Sequence, residues 1–122
     1  LSEKISEAEY AVMEALWQDA PLTATDVAAR VSDERGWSIQ TVKTLLSRLL
    51  AKDIVSAEQD GRRFLYSPLV AREDYVTGES RRLVDRLFGG RITPLVAHLA
   101  EQDQLSPQDI EEIEALLREL KP

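Results

Sequence analysis

Apolar positions recur with a helical period along most of this 122-residue chain. In the first stretch, Ser6 and Glu9 have the spacing of a capping box, and Ile5 and Tyr10 hold the positions of a hydrophobic staple. Ala8, Val12, Ala15 and Leu16, flanked by Met13 and Trp17, then form a broad apolar stripe, with Glu7, Glu14 and Gln18 opposite. This helix is predicted to end near Gln18, before Pro21. Thr23 stands three residues ahead of Asp26 and caps a brief, alanine-rich helix carrying Val27, Ala28 and Val31. After a loop with Gly36, Ser38 caps a third helix, in which Val42, Leu45, Leu46, Leu49 and Leu50 make one continuous apolar face. At about 100° per residue, the other side carries Gln40, Thr41, Thr44, Ser47 and Arg48, with Lys43 at its margin.

The pattern then changes. Residues 54–59 lead into Asp60-Gly61, a favoured pair for a two-residue hairpin turn, and residues 62–67 follow with Phe64 and Tyr66 alternating. A β-hairpin is predicted here, with Leu22 as a candidate third short strand and Pro68 as the close of the first domain. Helical periodicity returns over residues 72–88, with Tyr75, Val76, Leu83, Val84 and Leu87 apolar, Gly78 a weak point and Gly89-Gly90 a stop. A further helix over residues 93–101 carries Leu95, Val96, Leu99 and Ala100. The last begins at Ser106-Pro107-Gln108-Asp109 and carries Ile110, Ile113, Leu116, Leu117 and Leu120.

This order predicts a mainly α protein in two parts. Residues 1–70 form a winged helix-turn-helix domain of three helices plus a small antiparallel β wing, and residues 71–122 an all-helical dimerisation region. The C-terminal helices have no second layer of their own, so their apolar faces call for a partner, and self-association is the simplest one. The expected dimer-forming positions are Leu83, Leu87, Phe88, Leu95, Val96, Leu99, Ile110, Ile113, Leu116, Leu117 and Leu120.

Composition narrows the chemistry. No apolar run approaches the roughly 20 residues of a membrane span, so no membrane insertion is expected. The chain has no cysteine, which excludes disulfides and thiolate metal sites and fits a cytoplasmic location. A single histidine, His98, cannot build a histidine-rich metal site, and neither a metal nor another cofactor is expected. Without a phosphate-cradling glycine loop or a nucleophile constellation, an enzyme is not expected. Glu111, Glu112 and Glu114 read as a solvated face.

Taken as a sum, a formal charge of −7 opposes nucleic-acid binding, but its distribution does not. Residues 1–37 hold three bases against eight acids and residues 70–122 seven against eleven, whereas residues 38–69 hold five against three. An acidic body with one basic face suits a DNA reader.

A polar helix face alone is usually just a solvated surface. Here it precedes a hairpin bearing two arginines, and in that context Gln40, Thr41 and Thr44 suit base edges: glutamine pairs with adenine, and the threonine methyl packs on thymine. Lys43 and Arg48 suit phosphates, Ser38 both caps and reaches a phosphate, and Arg62 and Arg63 are expected at the hairpin tip against a backbone or minor groove. Trp37 and Tyr66 read as core residues. The competing reading is a winged helix used for protein interaction, without DNA binding.

Three segments carry a family resemblance: Ala8 to Met13 with Leu16-Trp17, the run from Trp37 to Leu49, and Gly61-Arg62 to Tyr66. Together with Phe88-Gly89-Gly90, Pro94-Leu95-Val96 and the stretch from Leu105 to Ile113, they make nearly the whole chain resemble the BlaI/MecI/CopY repressors. Ile39 and Asp53 depart from the pattern, where relatives often carry proline and glycine. The resemblance implies a homodimer on double-stranded, inverted-repeat operator DNA, with Gln40, Thr41, Lys43, Thr44 and Arg48 facing it. Copper-responsive members of that family release DNA through a cysteine cluster, and the absence of cysteine here excludes that route. The resemblance also implies release through a membrane sensor protease pathway, the corresponding bond being His98-Leu99. Cutting there is expected to remove apolar anchors from the interface and forfeit simultaneous binding of two half-sites.

Overall fold

The computed structural model describes residues 4–121, and the side chains of these except residues 32–34. It divides into two compact units, Leu1–Tyr75 and Val76–Pro122. The first unit opens with α1 (Glu7–Gln18), α2 (Ala24–Arg35) and α3 (Ile39–Ala51), followed by β1 (Val55–Asp60) and β2 (Arg63–Pro68). The fourth helix, α4 (Arg72–Phe88), begins in this unit; α5 (Ile92–Glu101) and α6 (Pro107–Leu120) belong to the second.

Each of the first three helices starts where side chains satisfy orphan amides. In α1, the Ser6 amide donates to Glu9 Oε1 at 2.8 Å and the Glu9 amide to Ser6 Oγ at 3.1 Å, the reciprocal pair of a capping box. Thr23 and Asp26 exchange the same two bonds ahead of α2, both at 3.1 Å. Ser38 caps α3 by accepting the Thr41 amide at 3.1 Å. Each such cap is worth roughly 1 kcal/mol. The second helix is not brief: it runs 12 residues, because Val27, Ala28 and Val31 all bury against the core and tertiary packing carries the helix on to Arg35.

The core lies between the three helices and the hairpin base. Val12, Met13 and Leu16 of α1 meet Val27 and Val31 of α2, Val42, Leu45, Leu46 and Leu49 of α3, and Ile54 and Val55 beside them. Leu50, expected on the buried face of α3, is instead 42% exposed. The reason is angular: at 100° per residue it stands about 90° from the centre of the stripe that Val42, Leu45, Leu46 and Leu49 define.

Strands β1 and β2 form a two-stranded antiparallel sheet, with Leu22 adding a one-residue bridge to Tyr66. The register pairs Asp60 with Arg63, so the two-residue turn is Gly61-Arg62 and not Asp60-Gly61. Gly61 takes φ 65° while Arg62 stays out of the left-handed region, as in a type II′ turn with glycine at its first central position. The one-residue shift returns Asp60 to the ladder. It also brings its carboxylate to the Arg63 guanidinium at 2.9 Å.

The first turn of α4 is tied to α1. Tyr75 is buried, its ring 5.7 Å from that of Tyr10 and 5.8 Å from that of Trp17. The Trp17 indole donates to the Val70 carbonyl at 2.9 Å, and Arg72 reaches Glu14 at 3.3 Å. In the second unit, Val84 is buried, but α5 and α6 contain no buried residue. Helix α6 starts with the expected capping box, Ser106 with Asp109, and proline in its first turn.

Candidate nucleic-acid interface

Ser38 fixes the start of α3, and its apolar stripe fixes which side faces out. Ser38, Gln40, Thr41, Lys43, Thr44, Ser47 and Arg48 are all exposed, so the structure brings every residue expected on this face to the surface. Their hydroxyls are partly committed. The Ser38 and Thr41 hydroxyls bond each other at 3.1 Å, and the Thr44 hydroxyl donates back to the Gln40 carbonyl at 3.1 Å. Thr44 therefore offers an acceptor oxygen rather than a free donor. The side chains of Gln40, Lys43, Ser47 and Arg48 have no partner among the described residues and keep their full hydrogen-bonding capacity.

The hairpin separates its two arginines. Arg62 occupies the turn, exposed and without an ion-pair partner among the described residues, while Arg63 lies in β2 with its guanidinium on Asp60. Only Arg62 is the free cation at the tip that both were expected to be. Between the start of α2, α3 and the hairpin lies a cleft of about 160 Å³ lined by Thr23, Ala24, Thr25, Lys43, Arg62, Arg63, Phe64 and Tyr66. Three cations and the positive end of α2 share it, an arrangement complementary to a phosphate. Hydrogen bonds from Thr23 hold the Asp26 carboxyl below the usual carboxylate range, and the charges of Arg63 and Arg30 add to this against a cost of burial.

Sequence reasoning did not find Thr25 or Phe64. Thr25 and Phe64 enter the interface only through the tertiary meeting of α2 with the hairpin. Trp37 and Tyr66, read as core, are each half-buried against its edge, and the Arg35 guanidinium sits 5.1 Å over the Trp37 ring.

In the second unit, Leu83, Leu87, Val96, Ile110, Leu116, Leu117 and Leu120 are exposed, and Phe88, Leu95, Leu99 and Ile113 half-buried. His98 is exposed in the last turn of α5, its ring 6.4 Å from that of Phe88. No described helix is long and apolar enough to cross a membrane, and the described residues hold no cluster suited to a metal ion.

Three helices, an antiparallel wing and an exposed polar face on the third helix define a winged helix-turn-helix protein of the DNA-binding class. The family model described as penicillinase repressor matches residues 5–119. The penicillinase repressor of Bacillus licheniformis is 32% identical over 118 residues, which cover 97% of this chain and 92% of that protein. The solution structure of the DNA-binding domain of the repressor BlaI superposes with a TM-score of 0.56 at 32% identity, covering 62% of this chain and 92% of that one. The monomeric form of Bacillus licheniformis BlaI, in complex with the blaP half-operator, gives a TM-score of 0.53 with the same identity and coverage. The chain belongs to the penicillinase repressor family.

Proposed function

We propose that this chain is a transcriptional repressor that binds double-stranded operator DNA as a homodimer, each winged helix taking one half of an inverted repeat. The observation that carries the reading is the exposed face of α3, where Gln40, Thr41 and Thr44 share one surface with the free cations Lys43 and Arg48, with Arg62 on the adjacent wing. Geometry divides the work. Gln40 and the methyls of Thr41 and Thr44 read base edges; Lys43, Arg48, Arg62 and Ser38 hold phosphates; Ser47 borders the same face. Arg63 contributes less, because a phosphate must compete with Asp60 for it. This work needs no cofactor and no enzymatic step, and it places the protein in the cytoplasm with its DNA.

The second copy covers the apolar faces of α5 and α6. Leu116, Leu117 and Leu120 are each at least half exposed in the single chain, on a helix whose opposite face is acidic. Burying such a stripe on its two-fold mate removes apolar area from water at about 25 cal/mol per Å². Release follows if the His98-Leu99 bond in α5 is cut, which separates α6 from the rest of the dimer surface and dissolves the avidity of paired half-sites. The agent is a protease pathway controlled by a membrane sensor.

A gel-shift titration of the full chain on DNA from its own promoter tests the reading. Retardation that weakens steeply with salt is expected. No shift at any salt would leave the protein-interaction reading in its place.

A further inference from the structure

The least solvated ionic contact among the described residues lies at the C-terminal end of α3, the opposite end from Ser38. The Glu9 side chain is 2% exposed, yet its Oε1 accepts two hydrogen bonds at 2.8 Å, from the Ser6 amide and from Lys52 Nζ. The same Lys52 ammonium donates to the Lys4 carbonyl at 2.9 Å. Lys52 is the C-cap residue of α3, while Glu9 and Ser6 form the N-terminal cap of α1. One charged clasp therefore joins the end of the DNA-facing helix to the start of the first.

The apolar contacts of α3 restrain its position differently. Burial of Val42, Leu45, Leu46 and Leu49 fixes which side faces inward and close packing resists large shifts, but burial is non-directional and does not by itself set the axial position to a fraction of a turn. A slide of one residue is about 1.5 Å, enough to misplace every base-reading side chain at the exposed N-terminal end. Hydrogen bonds from a charged donor are short and directional. The Lys52 ammonium has two of its three protons committed to fixed oxygens on the α1 side.

Building on the DNA-binding reading above, we infer that Lys52 and Glu9 are positioning residues that set the axial placement of α3 and thereby the discrimination of operator from other DNA. The test compares Glu9→Gln and Lys52→Met in the full chain. Gln retains the acceptor that the capping box needs, and Met retains the lysine stem. The readout is the ratio of affinities for a footprinted promoter duplex and a scrambled duplex, measured at a temperature where circular dichroism shows every variant folded. Each variant is expected to lower the ratio about tenfold, in the range that coupled contacts produce, and the double variant no further than the weaker single. Lys52→Arg, which keeps the cation, is expected to recover most of it. A lowered melting temperature with an unchanged ratio would make the clasp purely structural and overturn the inference. Absence of any wild-type shift would instead overturn the DNA-binding reading itself.

Discussion

The Ile54 amide reaches the Leu49 carbonyl at 3.0 Å, five residues back, because Asp53 between them turns into the left-handed region at φ 59°. With the Asp53 amide on the Leu50 carbonyl at 3.1 Å, this is a Schellman motif whose pivot is an aspartate where glycine is the easiest occupant. The left-handed conformation costs an L-residue about 1 kcal/mol, less for aspartate than for most. Asp53→Gly is therefore expected to stabilise the first unit by roughly 0.5 kcal/mol, seen as a higher urea midpoint at unchanged slope. A lower midpoint would mean that the aspartate side chain offsets its backbone.

Burial alone would raise the Glu9 pKa, but the Lys52 hydrogen bond, the two Ser6 bonds and the Lys52 charge outweigh it and hold the carboxyl below the usual range. A carboxyl whose folded pKa is depressed adds stability above its unfolded value, near pH 4.3, and loses it as pH falls through the folded one. Unfolding free energy should thus decline in acid more steeply in the wild type than in Glu9→Gln. At pH 7 the variant should be less stable by about 2 kcal/mol, within the range for charged hydrogen bonds. Parallel pH profiles would contradict this.

On the DNA side, Arg62→Ala should weaken operator and scrambled duplex alike and reduce the slope of log affinity against log salt by about 0.9 per wing. Arg63→Ala should do so more weakly, because Asp60 already engages that guanidinium. Thr41→Ala and Thr44→Ala should change which half-site base pairs are preferred, by about 1–3 kcal/mol per lost contact. Selection of binding sequences from a random pool separates the two effects.

Leu116 is 59% exposed in the single chain. Leu116→Asp therefore costs an isolated chain less than about 0.5 kcal/mol, while placing a charge in the apolar face assigned to the second copy. Sedimentation analysis should show monomers, with a melting curve for the first unit close to that of the wild type.

A chain ending after His98 should keep its winged helix and bind an intact operator about 10²- to 10⁴-fold more weakly than the full dimer. Undiminished affinity would remove the proposed release step.

Much of this fold is written locally. Ser6-Glu9, Thr23-Asp26, Ser38 and Ser106-Asp109 all form the caps that their spacing predicts, since a cap depends only on residues within one turn. The outward face of α3 was equally legible from periodicity. The hairpin was placed, but its turn lies one residue further on, since Asp-Gly and Gly-Arg are both acceptable turn pairs and the Asp60–Arg63 pairing decides between them. Nothing within one turn of Lys52 announces Glu9, 43 residues away. Long-range polar pairing leaves no periodic trace, and that is why the clasp and the α2 side of the cleft emerged only from the fold.

The acidic flanks on either side of the α3 and wing segment bear on how the protein finds its site. A genome presents about 10⁶–10⁹ wrong addresses for every right one, and a uniformly cationic binder spends most of its time resting on them. Acidic flanks lower the protein's net attraction to phosphates, which is expected to shorten its encounters with non-operator DNA. The same charge that lowers overall affinity lowers the share of the protein held on wrong sites.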